Sequence, residues 1–222
     1  MKFGCLSDTH LLKQEEIEVP IVDALFHSGD GLNGGHLWEL KYFAKWFSSL
    51  PANYHIFVPG NHDRCLDPES INYDAGAYEI LEDHHITLLI DKGITVEGIK
   101  IYGSPWVVPY GPWGFGRSEA QRLEKFEKIP EGLDILITHS PPRGILDRHH
   151  EFGNLGCPVL REIVFKKKPK IHIFGHIHDS GGNYHVENDI KFFNCANLNE
   201  KYRYAHPPRV LEVRPKEENE AN

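Results

Sequence analysis

Short blocks rich in aspartate, asparagine and histidine recur along this chain, and these residue types bind divalent cations. The five blocks are Asp8-Thr9-His10, Gly29-Asp30, Gly60-Asn61-His62-Asp63, Thr138-His139 and Gly175-His176-Ile177-His178. Imidazole and carboxylate groups together suit transition metals, and one carboxylate can bridge two cations about 3.5–4 Å apart. The blocks therefore predict a hydrolytic site with two cations, a bridging carboxylate and a free histidine that protonates a leaving group.

Spacing inside the blocks supports this prediction. Asp8 stands two residues before His10, and His176 stands two residues before His178. In an extended segment, side chains two residues apart point to the same side, so each pair is expected to face one site. Each block alone has a plain structural alternative, such as a turn aspartate or a surface histidine. The prediction therefore rests on the five blocks occurring together.

The elements that must position these blocks are short apolar runs, because most blocks follow such a run directly. Runs at 3–6, 24–27, 54–58, 135–138 and 171–174 are rich in Ile, Leu, Val and Phe and predict buried strands. Further strands are predicted at 99–103, 192–195 and 210–213. Ligands of open α/β sheets bind beyond the carboxyl ends of the strands, so we expect five strand ends to deliver these side chains to one place.

Three helices are predicted between the strands. Apolar residues recur at helical spacing over 37–50. A helix over 118–129 is favoured by a capping box of Ser118 and Gln121, and one over 158–167 by Pro158 in its first turn. Strands that alternate with helices indicate a layered α/β domain.

Composition limits the classes of function. The 222 residues suit one domain, expected over 1–213, and the charged tail 214–222 is expected to be disordered. A net charge of -8 argues against stable nucleic-acid binding. No apolar run approaches the roughly 18 residues of a membrane span, and removing a signal peptide would take away Asp8 and His10. We therefore expect a cytoplasmic protein without a membrane partner.

In their order, the five blocks resemble those of the calcineurin-like metallophosphoesterase superfamily. Further stretches are similar to its metallophosphoesterase-domain-containing subgroup, and the resemblance covers residues 1 to 199. These stretches are Gly-Ser-Pro-Trp at 103–106, Ile-Pro-Glu-Gly at 129–132, and the segments 134–139, 141–142, 156–157 and 169–175. The resemblance implies a four-layer α/β/β/α sandwich of two mixed sheets flanked by helices. It also implies metal-dependent phosphodiesterase activity, with cyclic nucleotides among the family's substrates.

Roles for individual residues also follow from the resemblance. It implies one metal held by Asp8, His10 and His178, a second held by Asn61, His139 and His176, Asp30 as the bridge and His62 as the catalytic histidine. Protein phosphatases of this fold place an aspartate three residues after the bridging aspartate to orient the catalytic histidine, whereas this chain has Asn33 there. Protein phosphatase activity is therefore disfavoured, and what orients His62 is left open. Some subgroup members lack the first histidine of the last block and are weakly active; this chain keeps His176, which favours a working enzyme.

The predicted function is a di-metal phosphodiesterase that acts on small or cyclic nucleotide-type substrates through a metal-bridging hydroxide. Asp30 and His62 are the predicted catalytic residues, and the predicted substrate contacts are Asn61, His62, His176, Arg148 and His149. Manganese is the favoured metal, with iron, nickel, cobalt or zinc as alternatives. Phosphomonoesterase, nuclease and non-catalytic scaffold functions stay as alternatives, and the oligomeric state is open. For Trp106, Trp113 and Phe115, core packing is the default and an aromatic wall for a base is the alternative.

Overall fold

Two β-sheets stacked face to face form the centre of the molecule in a computed structural model, which describes residues 1–12 and 17–214. Residues 215–222 of the predicted disordered tail lie outside the described residues. The first sheet has the order β13-β1-β2-β3-β4 and is parallel except for β13, which pairs antiparallel with β1. Its strands are β1 (Lys2–Leu6), β2 (Ala24–His27), β3 (Tyr54–Phe57), β4 (Ile86–Leu88) and β13 (Arg209–Glu212).

The second sheet has the order β11-β12-β10-β7-β6-β5, with antiparallel pairs at both edges and parallel pairs between them. Its strands are β5 (Lys92–Val96), β6 (Ile99–Ser104), β7 (Ile135–Thr138), β10 (Ile171–Phe174), β11 (Tyr184–Glu187) and β12 (Ile190–Asn194). A small hairpin of β8 (Arg148–His149) and β9 (Gly153–Asn154) stands apart from both sheets.

Helices cover the outer face of each sheet. They are α1 (Leu37–Ser49), α2 (Gly76–Asp83), α3 (Glu119–Glu127) and α4 (Pro158–Lys167). The capping box of Ser118 and Gln121 begins α3, and Pro158 lies in the first turn of α4, as predicted. In the described part of the chain, no helix has the length and apolar character that crossing a bilayer requires.

Alternation along the strands divides the apolar side chains between two cores. In β7, Ile135 and Ile137 pack between the sheets, whereas Leu136 faces the helices. In β2, Ala24 and Phe26 face the other sheet, and Leu25 packs on the helical side. Because successive strand residues point to opposite faces, strands buried on both faces read as continuous apolar runs. The predicted four-layer sandwich of two mixed sheets flanked by helices is thereby confirmed.

The two sheets are joined at the carboxyl ends of β1 and β12. Ser7 and Ala196 form an isolated parallel bridge across the junction. Asn197 strengthens it, since its backbone N–H donates to Ser7 O at 2.9 Å and its Oδ1 accepts from Ser7 N at 3.2 Å. This junction brings the strand ends of one sheet beside those of the other.

Candidate metal centre

Five strand ends meet at this junction and carry the five sequence blocks. Asp8 follows β1, Asp30 follows β2 and Asn61 follows β3, all in the first sheet. His139 follows β7 and His176 follows β10, neighbouring parallel strands of the second sheet. Two hydrogen bonds connect the sets: His139 Nδ1 contacts Ser28 O at 2.9 Å, and His176 N donates to Asp8 Oδ2 at 2.9 Å. Both sheets therefore build one site.

The side chains form overlapping groups in which the potential ligand atoms lie within 4.8 Å of one another. The groups are Asp8, His10 and His178; His10, Asp30 and His62; and Asp30, His139 and His176. Asp30 Oδ2 lies 3.9 Å from His10 Nε2 and 3.2 Å from His139 Nε2. Asn61 Oδ1 lies 3.0 Å from His139 Nε2. All seven predicted metal ligands and His62 thus come together, with Asp30 between the two outer groups. Their roles as ligands stay a prediction.

Backbone carbonyls orient three of the imidazoles. Nδ1 of His10 contacts Leu32 O at 3.0 Å, Nδ1 of His139 contacts Ser28 O, and Nδ1 of His178 contacts Asn199 O at 3.0 Å. A carbonyl oxygen can only accept, so in each ring Nδ1 carries the donated proton and Nε2 faces the cluster. An Nδ1–H donor of this kind fixes the tautomer and ring orientation of metal-binding histidines.

The expectation of extended segments around the ligands is wrong. Asp8, His10, Asp30 and His176 have φ of 52°, 43°, 56° and 67°, in the left-handed region. His178 begins a short 3-10 turn, so His176 and His178 join different groups instead of sharing one. Left-handed backbone at non-glycine residues is uncommon, and it persists only where the surrounding structure imposes it. Here it turns side chains that follow three strands, β1, β2 and β10, toward a common centre.

Close packing explains why glycine precedes two of the blocks. A Cβ on Gly175 would overlap Asp8 Oδ2 and Ser7 Oγ. A Cβ on Gly29, where φ is +107°, would overlap His139 Nδ1 and lie 2.7 Å from Gly60 N. The glycines in Gly-Asp and Gly-His-Ile-His therefore let one ligand-bearing segment touch the next.

Burial and the neighbouring charges set the protonation of the histidines and aspartates in the cluster. Burial lowers the pKa of His10 to about 4 and that of His176 to about 4, which leaves both rings neutral. Burial alone would lower the pKa of His139 and of His178, but Asp30 raises the first to about 9 and Asp8 raises the second to about 9. Against the burial effect, these histidines hold the pKa values of Asp8 and Asp30 well below the usual range. Both carboxylates are therefore anionic at neutral pH.

Two buried atoms test whether the site suits metal ions. His10 Nε2 is buried and has no hydrogen-bond partner among residues 1–12 and 17–214, and Asp8 Oδ1 is buried with His178 Nε2 at 3.3 Å as its polar neighbour. Leaving a buried polar atom unsatisfied costs about 1–3 kcal/mol. Both atoms belong to the group of Asp8, His10 and His178, and a divalent cation would satisfy both. This group therefore fits one such ion, and the group of Asp30, His139 and His176 offers the same donor types beside the amide of Asn61.

The predicted substrate contacts divide between the cluster and its surroundings. Asn61, His62 and His176 lie in the cluster. Arg148 and His149 lie on the β8–β9 hairpin, which touches the turn after His178 through Ser180 Oγ and Arg148 O at 3.4 Å. The cluster groups do not include them, and His149 groups instead with His150 and Asp179. Their role as substrate contacts stays a prediction.

Two residues that support the cluster are missing from the sequence prediction. The buried carboxylate of Asp63 accepts backbone N–H groups from Asp30 at 2.9 Å, Leu32 at 3.0 Å and Gly60 at 2.7 Å. It stands in the Gly-Asn-His-Asp block, so its position was visible, but its acceptor role depends on the fold. The half-buried ring of Trp113 lies against His62. A separation of about fifty residues left no local signal for that contact.

Two stacked mixed sheets carry a cluster of potential metal ligands at their joined strand ends. The family model for calcineurin-like phosphoesterases matches residues 1–180, and the chain belongs to this family. The family typically binds a binuclear metal centre, and the clusters above supply its candidate ligands. The chain is accordingly a metal-dependent phosphoesterase.

Individual relatives agree with this assignment. The metallophosphoesterase domain-containing protein 1 of Homo sapiens is 34% identical over a 232-residue alignment that covers 96% of this chain and 71% of the relative. The protein of the same name from Mus musculus shows the same values. Among solved structures, the phosphopantetheinyl hydrolase PptH from Mycobacterium tuberculosis aligns with a TM-score of 0.61 at 15% identity, covering 97% of both chains. At that identity the likeness shows a shared fold.

Proposed function

We propose that this chain is a phosphodiesterase that acts on small, nucleotide-type phosphodiesters with two divalent cations. The observation that carries the proposal is the position of His62 beside the ligand cluster. Its Nε2 lies 4.0 Å from Asp30 Oδ2, and its side chain is 13% exposed, in contrast to the buried His139. His62 is therefore placed to meet an incoming substrate and to donate a proton to the departing oxygen.

The charge of the ligand set favours a diester. When bound, two divalent cations supply activation of the attacking water and stabilisation of charge on the phosphoryl oxygens. Asp8 and Asp30 are the two carboxylates among the proposed ligands, so they offset two of four positive charges. With one further negative charge from the attacking hydroxide, a surplus of about +1 is left. A phosphodiester carries one negative charge and neutralises that surplus.

Each protein group then has a distinct task. Asp30 lies between the groups of His10 and His139 and would hold both cations at a fixed separation. Asn61, which follows β3 of the first sheet, and His176, which follows β10 of the second, would orient the phosphoryl group. His62 would protonate the leaving alkoxide. The mixed imidazole and oxygen donors favour manganese, and iron, nickel, cobalt or zinc are the alternatives to it. Magnesium and calcium are disfavoured because they prefer oxygen ligands alone.

A small substrate is favoured over a polymer. The net charge of -8 argues against polynucleotide binding, which usually needs a basic surface. Local cation charge at the site would still attract a single phosphodiester group. We therefore propose a mononucleotide-sized diester, cyclic or linear.

A metal-by-substrate screen tests the proposal. Protein stripped with chelator is reloaded with each cation, and its metal content is measured by elemental analysis. Bis(4-nitrophenyl) phosphate, 4-nitrophenyl phosphate and cyclic nucleotides are then compared as substrates. We expect manganese-dependent turnover of diesters well above that of the monoester. A preference for the monoester would overturn the diesterase proposal.

The role of His62 is tested in the same screen. His62→Ala should lower turnover by roughly 10²–10⁴ with two cations still bound. His185→Ala, a change at a histidine on the edge strand β11, is the matched control and should leave turnover unchanged. Loss of a cation in His62→Ala would identify His62 as a ligand and contradict its role as acid.

A further inference from the structure

His62 needs an orienting device, because a proton donor is effective only when its ring points at the leaving oxygen. The side chain at position 33 is an asparagine, and it is the backbone carbonyl of Asn33 that contacts His62 Nδ1, at 2.5 Å. This bond makes Nδ1 the donor and directs Nε2 toward Asp30. A single hydrogen bond to Nδ1 does not fix the tilt of the imidazole plane. A second contact, on the face of the ring, is needed to fix it.

Trp113 supplies that second contact. Its ring stacks on the imidazole of His62 with centroids 3.9 Å apart and planes 27° from parallel. His10 packs against His62 edge to face, with centroids 4.6 Å apart and planes at 85°. The imidazole is thus held on its face by an indole and bounded by a proposed ligand. We infer that Trp113 is a positioning residue that fixes the ring plane of His62 for proton donation.

The backbone of the Trp113 loop is fastened to the segment that carries His62. Gly114 N donates to Asn61 O at 2.9 Å. The next residue, Phe115, donates its N–H to Asp67 Oδ2 at 2.5 Å. Asp67 also forms a buried ion pair with Arg117 at 2.6 Å. Trp113 and His62 are therefore held to the same short stretch of backbone, and motion of the wider loop cannot separate them without breaking these bonds.

The surroundings of Trp113 distinguish positioning from core packing. Trp106 and Phe115, from the same aromatic segment, are buried in the large hydrophobic cluster. Trp113 is half-buried and is not among the described members of either cluster. Besides His62, its ring has the guanidinium of Arg64 at 5.9 Å. Among the residues that the structure describes, the ring that Trp113 stacks on is the imidazole of His62.

The inference rests on the proposed function, and leaving-group dependence tests it in the manganese-loaded protein. A proton donor matters most when the leaving group is poor. Trp113→Ala should therefore lower kcat for methyl or phenyl diesters about 3- to 10-fold more than for 4-nitrophenyl diesters, the range expected for one aromatic stack. KM and metal content should be unchanged, and Trp113→Phe should restore most of the loss. Trp38→Ala, at an exposed tryptophan of α1, is the matched control.

A double-mutant cycle makes the test specific. In a His62→Ala background, Trp113→Ala should have no further effect on kcat, because the residue it positions is absent. A persistent effect, an equal loss for good and poor leaving groups, or a rise in KM alone would overturn the inference and mark Trp113 as a wall for substrate or a packing residue.

A second readout does not depend on turnover. In NMR spectra of the metal-stripped protein, assigned with His62→Ala, the ring protons of His62 should be shifted upfield by the indole, and Trp113→Ala should remove that shift. Unshifted protons in the unaltered protein would overturn the inference whatever the activity. If the shift is present but no diester is hydrolysed, the proposed function fails and the orientation of His62 stands.

Discussion

The carboxylate of Asp63 lies behind Asp30 and accepts its backbone N–H at 2.9 Å. The same carboxylate accepts the N–H groups of Leu32 and Gly60, so one side chain connects the segments after β2 and β3. The left-handed conformation of Asp30, with φ of 56°, is held by this arrangement. Asp63 therefore holds the backbone of Asp30, the proposed bridge between the cations, in place.

Asp63→Ala is expected to destabilise the fold and weaken cation binding together. It leaves three buried N–H groups without acceptors, at about 1–3 kcal/mol each, so we expect a loss of at least about 3 kcal/mol. Urea unfolding and elemental analysis measure the two effects. Asp63→Asn keeps one acceptor oxygen and should lose less. Unaltered stability of Asp63→Ala would show that these N–H groups find other partners.

Asp30→Ala and His178→Ala should differ in how many cations they release. Asp30 lies 3.9 Å from His10 Nε2 and 3.2 Å from His139 Nε2, so its removal is expected to abolish tight binding of both ions. His178 groups with Asp8 and His10, and its removal should release one. Elemental analysis after gel filtration gives the stoichiometry. One tightly bound ion in Asp30→Ala would contradict the bridge.

Gly175→Ala should inactivate the protein although it replaces no proposed ligand. The added methyl would overlap Asp8 Oδ2 and Ser7 Oγ, so the segment after β1 and the segment after β10 must shift apart and disturb the position of Asp8. We expect loss of the cation held by Asp8 and a matching loss of turnover. Gly93→Ala is the control, because its Cβ would meet Tyr102 at an ordinary 3.4 Å. Full metal content in Gly175→Ala would mean that the two sheets can separate to make room.

His172 should make the protein less stable in acid. Burial lowers its pKa to about 3, whereas an unfolded histidine has a pKa of about 6.5. Its contribution to stability is therefore complete above pH 6.5 and declines as the pH falls toward 3, because only the unfolded chain takes up the proton. Between pH 6.5 and 4.5, His172→Gln should lose about 2 kcal/mol less unfolding free energy than the parent.

Urea unfolding of metal-stripped protein at several pH values measures this difference. His185→Gln changes a histidine that is exposed on β11 and serves as the control. Parallel curves for the parent and His172→Gln would show that His172 is accessible to protons in the folded state.

Arg117→Met should cost far more stability than loss of a surface ion pair. Arg117 and Asp67 are both buried and 2.6 Å apart, so the substitution leaves an unpaired buried carboxylate, at about 3–5 kcal/mol. Lys128→Met removes the exposed pair with Glu124 and should cost about 0.5 kcal/mol or less. Equal effects in thermal and urea unfolding would contradict the importance of burial.

The strands that carry the site could be predicted because strands buried on both faces consist of continuous apolar runs. The predicted bounds 24–27, 135–138 and 171–174 match β2, β7 and β10. Helix α4 also has its predicted bounds, 158–167, and the other predicted elements begin or end one or two residues from the prediction, where terminal hydrogen bonds fray. Strands β4, β5 and β11 and the two-residue strands β8 and β9 were missed. They are short or lie at sheet edges, and the pattern of β11, exposed at Tyr184, His185 and Val186, lacks an apolar signal.

Helix α2 was also missed, because Ala75 at its N-cap makes no side-chain capping bond and only Ala77 and Leu81 are buried. In the site, the residue types and their order were sufficient to predict which side chains meet. Three features could not be predicted from the sequence. They are the left-handed turns that orient these side chains, the three backbone hydrogen bonds accepted by Asp63, and the contact of Trp113 with His62. Those features arise from pairs that are distant along the chain, and no local pattern encodes them.

The junction at Ser7 and Ala196 has a consequence for how the protein matures. Neither sheet alone holds a full ligand set: Asp8, Asp30 and Asn61 come from one, whereas His139 and His176 come from the other. We therefore expect tight binding of both cations only after the two sheets have packed together. In a cell, metal ions would stabilise chains whose two sheets have packed together. Chains with unpacked sheets would not bind the ions tightly and would stay open to proteolysis.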